Sequence, residues 1–318
     1  MRRRALLAGF VATPALAQEP VPGGWPTRNV ELVVPYAAGG PTDRYAREFA
    51  PRLGERWGQQ VVVSNKPGGA TAIGTAAVAQ ASPDGHTLLL ASFGIVTNPI
   101  MLKNLPYDPK ALAPLCRFAL GGAVLYVHPS VPARNLRELV EWAKAHPGRL
   151  QFGSSGMGSS PHISAELLAL AAGIDILHTP YRGSAPAMTD LIAGHINALF
   201  DSVTSMRLAR EGRIRALGIA QPQRTAAAPE VPTMAEQGFP SVMARTFYGF
   251  FAPAAVPAPL QDRIATDLRG VAGSEAVQRA IRDDGLEPLA ETPAEFAAYL
   301  AEQHAFWSRV VRERKLSL

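Results

Sequence analysis

The fold is decided by residues 30–74, which read VELVVPYAAGGPTDRYAREFAPRLGERWGQQVVVSNKPGGATAIG. An apolar strand leads into a Gly-rich loop and a helix, and the same order then begins again. In α/β units of this kind, the loop after each strand brings a helix N-terminus to the crevice at the strand ends, where ligands bind. Free backbone N–H groups and the positive end of the helix dipole favour an anion there. Because both loops are poor in catalytic side chains, the stretch indicates an anion-binding protein before an enzyme.

Apolar runs and helical patterns alternate along the chain, which is typical of parallel sheets flanked by helices. The predicted strands are Val30–Val34, 60–64, Thr87–Ala91, 150–153, 196–201, 214–220 and 247–253. Between the first two strands, large apolar side chains recur at every fourth position and predict one buried helical face: Tyr45, Phe49, Leu53 and Trp57. Pro51 interrupts that face, and we expect it to kink or shorten the helix.

A second α/β unit begins near residues 118–127. Asn135 and Glu138 form an Asn-x-x-Glu variant of the capping box, which predicts a helix that runs to about His146. Further helices are predicted at 162–172, 185–193, 259–272, 275–284 and 293–314. The pattern of two α/β units and a helical tail indicates two domains, with the tail returning to pack on the first.

The N-terminal residues MRRRALLAGFVATPALA place three Arg before a short apolar run and the motif Ala15-Leu16-Ala17. This order predicts a signal peptide over residues 1–17 that is cleaved near Ala17, by a Sec or a twin-arginine route. Cleavage removes three Arg and no acid, so the formal net charge falls from +5 to +2. The mature chain then lacks the basic surface that nucleic-acid binding needs, and we expect no nucleic-acid partner.

Cysteine and histidine usage argues against catalysis and metal binding. Cys116 is the only cysteine, so no internal disulfide can form, and its place in a predicted strand indicates a buried, inert thiol. The seven His lack metal-ligand spacing, and we expect neither a metal nor a cofactor. His162, at the start of a predicted helix, is expected to be structural. The sequence also lacks G-x-S-x-G, P-loop and H-E-x-x-H motifs, so we do not expect an enzyme.

A series of motifs, in this order, carries a family resemblance: WPTR at 25–28, VPYAAGGPTD at 34–43, NKPGGATAIG at 65–74, PDGHTLLLAS at 83–92, NLPYDP at 104–109, SSGMGSSPH at 154–162, PYRGSAPAMTDLIAGHI at 180–196 and VPTMAEQG at 231–238. With these motifs, the chain resembles the extracytoplasmic solute receptors of tripartite tricarboxylate transporters, the Bug receptors. The resemblance covers almost all of the mature chain.

The resemblance implies an α/β fold of the two-domain periplasmic binding protein type (type II-like), with mixed sheets flanked by helices and a ligand cleft between the domains. It places domain 1 at residues 25–117 plus 246–318 and domain 2 at residues 118–245. It also implies a monomer in the periplasm that binds a small mono- or dicarboxylate and meets the membrane permease subunits of the transporter.

Three Gly-rich segments are expected to face the ligand: loop 1 (residues 36–43), loop 2 (66–71) and loop 3 (154–160). Carried onto this sequence, the resemblance gives these candidate ligand-binding residues: Tyr36, Gly40, Pro41, Thr42, Asp43, Gly69, Ala70, Thr71, Ser92, Ser154, Ser155, Met157, Gly158, Ser159, Tyr181 and Asp201. Met157 and Pro161 depart from the family pattern, in which Thr or Asn is frequent in loop 3, and Met157 would make one side of the pocket more apolar.

Several of these residues have a second interpretation. Asp43 either sits in the first helical turn, where an acid suits the helix dipole, or meets an ammonium or hydroxyl group of the ligand. The serines of loop 3 either contact the ligand or cap the next helix. Arg182 is either a carboxylate clamp or a surface residue.

The sequence thus predicts a periplasmic receptor that captures a small organic anion by domain closure and delivers it to a permease. Two alternatives remain open at this point. The same fold could serve a sensor or carrier with a different partner, or the chain could be an exported α/β enzyme, for which no nucleophile–base motif is present.

Overall fold

The computed structural model describes residues 24–313, and it contains two sheets. The strands are β1 (Val30–Val34), β2 (Val61–Asn65), β3 (Thr87–Ala91), β4 (Leu112–Gly121), β5 (Val124–Val127), β6 (Leu150–Ser154), β7 (Ile176–Pro180), β8 (Ala198–Asp201), β9 (Arg215–Ile219), β10 (Thr246–Pro253) and β11 (Glu287–Pro288). The helices are α1 (Pro41–Trp57), α2 (Ala72–Ala79), α3 (Gly94–Met101), α4 (Leu136–Ala145), α5 (Ser160–Ala172), α6 (Ser184–Ala193), α7 (Met206–Arg210), α8 (Ala258–Ala272), α9 (Glu275–Asp283) and α10 (Pro293–Glu313).

Both sheets are mixed. The first has the order β11-β4-β10-β3-β1-β2, in which β1 runs parallel to β2 and β3 while β10 runs antiparallel to β3 and β4. The second has the order β7-β6-β8-β5-β9, with β6 parallel to β7 and β8, and β5 antiparallel to its two neighbours. The expected architecture of mixed sheets flanked by helices is therefore confirmed.

The chain passes between the sheets twice, at Gly122–Ala123 and again before Thr246. The predicted boundary between residues 117 and 118 lies inside β4, because β4 continues to pair with β10 as far as Gly121. The tail then returns to the first sheet, where β11 pairs with β4. The division into two domains remains a prediction. The sheet order supports it, with the first crossing at Gly122–Ala123 and so a few residues after the predicted boundary.

The face of α1 that the sequence predicted is buried against the first sheet. Tyr45, Phe49, Leu53 and Trp57 are all buried, and the ring of Phe49 lies 4.7 Å from that of Phe118 in β4. Pro51 does not shorten the helix, which runs unbroken to Trp57. Pro51 is exposed, and burial of the opposite face offsets the lost backbone hydrogen bond.

Cys116 is fully buried in β4, and burial raises the pKa of its thiol to about 12. The predicted burial of Cys116 is confirmed, and the raised pKa disfavours the thiolate that would react. Within residues 24–313, no helix is long and apolar enough to cross a membrane. The predicted signal peptide (1–17) and the predicted end of the last helix at Arg314 lie outside the described residues.

Candidate functional site

A narrow cleft lies between the two sheets, and three helices begin at it. The helices are α1, which starts after Gly40, α5, which starts after Ser159, and α6, which starts after Gly183. The first residues of all three line the cleft, whose free volume is about 50 Å³. Helix N-termini present unpaired N–H groups and a positive dipole end, so this convergence suits an anion.

Two of the three helices lack a side-chain cap. Gly40 and Gly183 are the N-cap residues of α1 and α6, and neither has a side chain to accept from the first N–H groups. In α5, by contrast, the Ser159 hydroxyl accepts from the His162 N–H and also donates to the Gly156 carbonyl at 2.6 Å. Ser159 therefore lines the cleft and caps the helix at the same time, so the two interpretations of this serine are compatible.

Eight of the predicted ligand-binding residues line the cleft: Tyr36, Gly40, Pro41, Thr42, Ser92, Ser155, Ser159 and Asp201. Hydroxyl groups dominate this set. The Ser92 hydroxyl lies 2.8 Å from that of Thr246, which links β3 to β10 at the cleft wall. Burial raises the pKa of Tyr36, so its phenol stays protonated and available as a hydrogen-bond donor.

Asp201 is the one acidic residue among the described residues that line the cleft, and that lining contains no Arg, Lys or His. Its carboxyl group is 7% exposed and accepts a hydrogen bond from the Ser205 hydroxyl at 2.7 Å. Burial raises the pKa of Asp201, although hydrogen bonds from Ser205, from the Ser202 backbone and from Ser184 act in the opposite direction.

Asp43 does not line the cleft but lies behind loop 1. Its carboxylate accepts from the Gly39 N–H at 2.9 Å, from Asn65 Nδ2 at 3.0 Å and from Arg47 at 3.0 Å. Burial acts to raise the pKa of Asp43, but the hydrogen bonds from Arg47, Gly39 and Asn65 outweigh it and lower the pKa below its usual range. The geometry therefore gives Asp43 the task of holding loop 1 against β2.

Loop 2 lies beside the cleft, and none of Gly69, Ala70 and Thr71 lines it. Ala70 and Thr71 both adopt left-handed backbone conformations, with φ of 55° and 76°. Non-glycine residues pay for such conformations, and the surroundings must hold them. Asn98 of α3 does so, since its Nδ2 donates to the Ala70 carbonyl at 2.6 Å and to the Thr71 hydroxyl at 3.0 Å.

Ser154, Met157 and Gly158 of loop 3 also lie outside the cleft lining. Ser154 is fully buried, and its hydroxyl lies 2.7 Å from His178 Nε2. His178 stacks on His162 at 3.9 Å, and burial lowers the pKa of His178 to about 4.

The Ser154 hydroxyl and His178 Nε2 are as close as a catalytic nucleophile and its general base, but a substrate could not reach the buried hydroxyl. The Ser154 hydroxyl also donates to the Gly156 carbonyl at 3.0 Å and accepts from the Gly156 N–H at 3.2 Å. A nucleophile needs an open face toward its substrate. These contacts instead hold loop 3 in place. His162 contributes by accepting a hydrogen bond from the Gly158 N–H at 3.1 Å.

Tyr181 and Arg182 do not line the cleft. The Tyr181 hydroxyl donates to Asp190 at 2.6 Å, and the Arg182 side chain is exposed. The Arg182 carbonyl, however, accepts from the Ala37 N–H at 2.7 Å and so joins the second half of the molecule to loop 1. A second bridge runs from the Thr97 hydroxyl of α3 to the Gly158 carbonyl of loop 3, at 2.6 Å.

The cleft also has lining residues that the sequence did not indicate. They are Phe93, Gly122, Ala123, Pro161, Ser184, Ser202, Thr246, Tyr248 and Leu286, while Ser160 also lines the cleft and belongs to the predicted loop 3. Ser184 had a usable signal, because it follows Gly183 at the start of a predicted helix, as Pro41 follows Gly40. Thr246 and Leu286 had none, since they come from segments far along the chain.

Within residues 24–313, no three His, Cys, Asp or Glu side chains group closely enough to hold a metal ion. The hydroxyl and N–H groups of the cleft are able to bind and orient a small polar anion.

Comparison with known proteins shows similarity to one family over most of the chain. The family model of the tripartite tricarboxylate transporter family receptor, TctC, matches residues 45–316. A UPF0065 protein from the tcbD-tcbE intergenic region of Pseudomonas sp. strain P51 is 35% identical over 99% of this chain and 95% of its own length. Protein BugT of Bordetella pertussis is 33% identical over 98% of this chain and 97% of its own length.

Solved structures show the same fold. The periplasmic binding protein BugD has a TM-score of 0.88 and 30% identity, over 92% of this chain and 99% of that one. Rpa4515 of R. palustris, solved with adipate, has a TM-score of 0.88 and 32% identity over 92% and 99% of the two chains. MatC of Rhodopseudomonas palustris, with bound malate, has a TM-score of 0.85 and 28% identity over 90% and 100%.

These similarities confirm the two-domain periplasmic binding protein fold that the motifs implied. The family and the fold are those of solute-binding receptors. The chain therefore belongs to the TctC family of tripartite tricarboxylate transporter receptors, as its Bug-like motifs indicated.

Proposed function

We propose that this receptor captures a small mono- or dicarboxylate in the cleft, closes its two domains around it and delivers it to a tripartite tricarboxylate transporter permease. One observation carries the proposal: the N-termini of α1, α5 and α6 converge on a cleft lined by hydroxyl groups. Oriented N–H groups hold a carboxylate without a paired cation, because their dipoles are fixed before the ligand arrives.

The relatives support a carboxylate as the ligand. Rpa4515 was solved with adipate and MatC with malate, and both share the fold of this chain over most of its length. The cleft volume of about 50 Å³ is room for about four water molecules, at ~10–15 Å³ each. A compact acid therefore suits the closed cleft, and a longer acid needs the domains to stand further apart.

A thermal-shift screen of carboxylates, followed by calorimetric titration of the hits, tests binding. At a hundredfold excess over Kd, a correct ligand stabilises the folded state by about 2.7 kcal/mol. Amines and sugars of similar size serve as the control panel. No stabilisation by any carboxylate would contradict the proposal.

Two further measurements separate this function from the alternatives. Proton NMR of the stabilising acid during incubation with the protein should show it unchanged, whereas its consumption would indicate an exported enzyme. Uptake of the same acid by cells that lack the permease should fall to the level of cells that lack the receptor. Uptake that persists without the permease would favour a sensor or carrier.

We also propose that the chain is exported as a monomer to the periplasm after cleavage near Ala17. The support is the Arg-rich start, the short apolar run and the Ala15-Leu16-Ala17 motif. Mature protein from a periplasmic extract should begin near Gln18 by N-terminal sequencing and elute as a single chain. An intact Met1 in that fraction would contradict the export step.

A further inference from the structure

Asp201 is at odds with a cleft that binds anions. It ends β8 at the cleft wall, and it is the one acid among the described lining residues, which include no cation. A ligand carboxylate in the same small cleft lies near this buried carboxyl group and gains no compensating positive charge from a side chain. Like charges at short range in a poorly solvated site oppose each other.

The partners of Asp201 leave part of its acceptor capacity unused. An ionised carboxylate offers about four acceptor positions. The Ser205 hydroxyl donates to one Asp201 oxygen at 2.7 Å. Nearby Ser202 and Ser184 also act to lower the pKa of Asp201 against the effect of burial. Because Asp201 lines the cleft, a remaining acceptor position is open to a ligand there.

We propose that Asp201 selects carboxylates that also carry a hydrogen-bond donor, a hydroxyl or an ammonium group, and disfavours the plain acids of the same size. The donor fills the remaining acceptor position of Asp201 and lies between the two carboxyl groups. The N-termini of α1 and α5 then hold the ligand carboxylate. This inference rests on the proposed function, because it names the ligand class of the same cleft.

The selection follows because a plain acid would leave an acceptor of Asp201 without a hydrogen-bond donor. A buried polar group that loses its partner costs more than a formed hydrogen bond gains. A site built to pair with a ligand OH or NH therefore rejects the analogue that lacks it more strongly than an apolar pocket rejects a missing methylene group. Once the acid occupies a cleft with room for only about four water molecules, little space is left for a water to replace the donor.

Matched acids that differ by one donor test the inference. Two sets are titrated by calorimetry at pH 7.5: propionate, lactate and alanine, and succinate, malate and aspartate. In the set that fits the cleft, we expect the wild-type protein to bind a donor-bearing acid at least tenfold more tightly than the plain acid. The hydroxyl and amino members show which donor the site takes.

Asp201→Asn is the decisive variant, because it keeps the size of the side chain and removes the charge. We expect it to reduce the preference for the donor-bearing acid to below threefold. Asp190→Asn is the matched control, since Asp190 accepts from Tyr181 outside the cleft lining, and its preference should equal that of the wild type. The ratio of the two affinities is measured on the wild-type protein alone. The inference can therefore be refuted even if Asp201→Asn folds poorly.

Three results would overturn it. One is a plain acid that binds within threefold of its donor-bearing partner in the wild type. Another is a preference that survives Asp201→Asn unchanged. The third is a plain acid whose affinity falls about tenfold for each pH unit of increase, since a proton would then satisfy Asp201 in place of a ligand donor. Binding of no carboxylate at all would instead overturn the proposed function and this inference together.

Discussion

At the scale of single residues, Gly40 lies where the N-terminus of α1 meets the cleft. It is the N-cap residue, with an extended backbone (φ −82°, ψ 173°), and a Cβ atom there would lie 3.9 Å from the Ala37 carbonyl and from the Ser184 N–H. A β-branched residue adopts this conformation readily, so its side chain would obstruct the cleft without straining the backbone.

We therefore expect Gly40→Val to abolish carboxylate binding while the protein stays folded. The loss of a favourable N-cap should cost about 1 kcal/mol of stability, which a small decrease in melting temperature reports. Calorimetric titration measures the binding. The control is Arg182→Ala. The Arg182 side chain is exposed, so this substitution should weaken binding less than tenfold. Binding by the Val variant together with total loss in the Ala variant would replace this mechanism with a charge clamp.

A second prediction at this scale concerns the contribution of Asp43 to the free energy of unfolding. Because its folded pKa lies below the usual value of about 3.9, its contribution to stability is complete above that pH and disappears as the pH falls through the folded pKa. Asp43→Asn should lower the free energy of unfolding by about 1–2 kcal/mol at pH 7, since Arg47 is half exposed and its ion pair is partly screened.

Urea denaturation at pH 7 and pH 3 measures the Asp43 effect, with the exposed Asp262→Asn as the control. The difference between wild type and variant should shrink at pH 3, because the Asp43 carboxyl group of the unfolded chain, with its higher pKa, is then mostly protonated. A difference that grows toward pH 3 would contradict the assigned role.

Gly40 and Thr42 were predictable because the strand–glycine–helix order is written in adjacent residues. The role of Asp43 was not, since its position in the first turn fits both interpretations. Only the distances to Gly39 and Asn65 place it behind loop 1. Similarly, nothing in the sequence showed that Ser154 turns inward to His178 while Ser155 lines the cleft.

At the scale of elements, the predicted strands and helices agree with the structure to within a few residues, because periodicity and capping are local signals. Asn135 accepts from the Glu138 N–H at 2.9 Å and opens α4 as expected. The Glu138 carboxylate accepts a hydrogen bond from the backbone N–H of Arg134, the residue before the cap, at 2.7 Å. The expected effect of Pro51 was wrong in its shortening form, because tertiary burial of one face decides how far α1 extends.

The helix α3 and loop 3 meet outside the cleft lining through the Thr97 hydroxyl group. The Thr97 hydroxyl donates to the Gly158 carbonyl at 2.6 Å, and this bond exists only while the two halves are together. Thr97→Val removes the donor and keeps the shape. With a net value of roughly 1 kcal/mol for such a bond, ligand affinity should fall about fivefold.

Calorimetry on Thr97→Val measures this loss. The matched control is Thr189→Val on α6, whose exposed hydroxyl donates to Ala185 within its own helix. The control should keep wild-type affinity. Equal affinity of the Thr97 variant and the wild type would show that this bridge does not contribute to closure.

At the scale of the whole molecule, the cleft unites segments that are far apart in the chain. Thr246 and Leu286 lie beside Tyr36 and Ser155 only because the chain crosses between the sheets twice and the tail then returns to the first sheet. Local patterns do not encode such contacts, which explains why about half of the cleft lining escaped sequence analysis. The family motifs supplied the topology that periodicity alone could not.

Hydrogen bonds between the halves, among them Ala37 to Arg182, Thr97 to Gly158 and Thr225 to Gly285, describe a closed arrangement of the described residues. Each of these hydrogen bonds is worth roughly 1 kcal/mol net, and a ligand held from both sides adds contacts that only the closed form offers. A ligand moves the balance between open and closed forms only by the difference in its affinity for the two. A carboxylate that contacts α1 on one side and α5 on the other binds the closed form better.

Small-angle scattering should therefore give a smaller radius of gyration with saturating ligand than without it. The Thr97→Val variant should have a larger radius than the wild type when both are free of ligand, and the two radii should converge once ligand is saturating. Thr189→Val should follow the wild type in both states. Identical scattering curves with and without a ligand whose saturation calorimetry has established would exclude closure, and the helix N-termini would then have to hold the anion in a cleft that does not change its width.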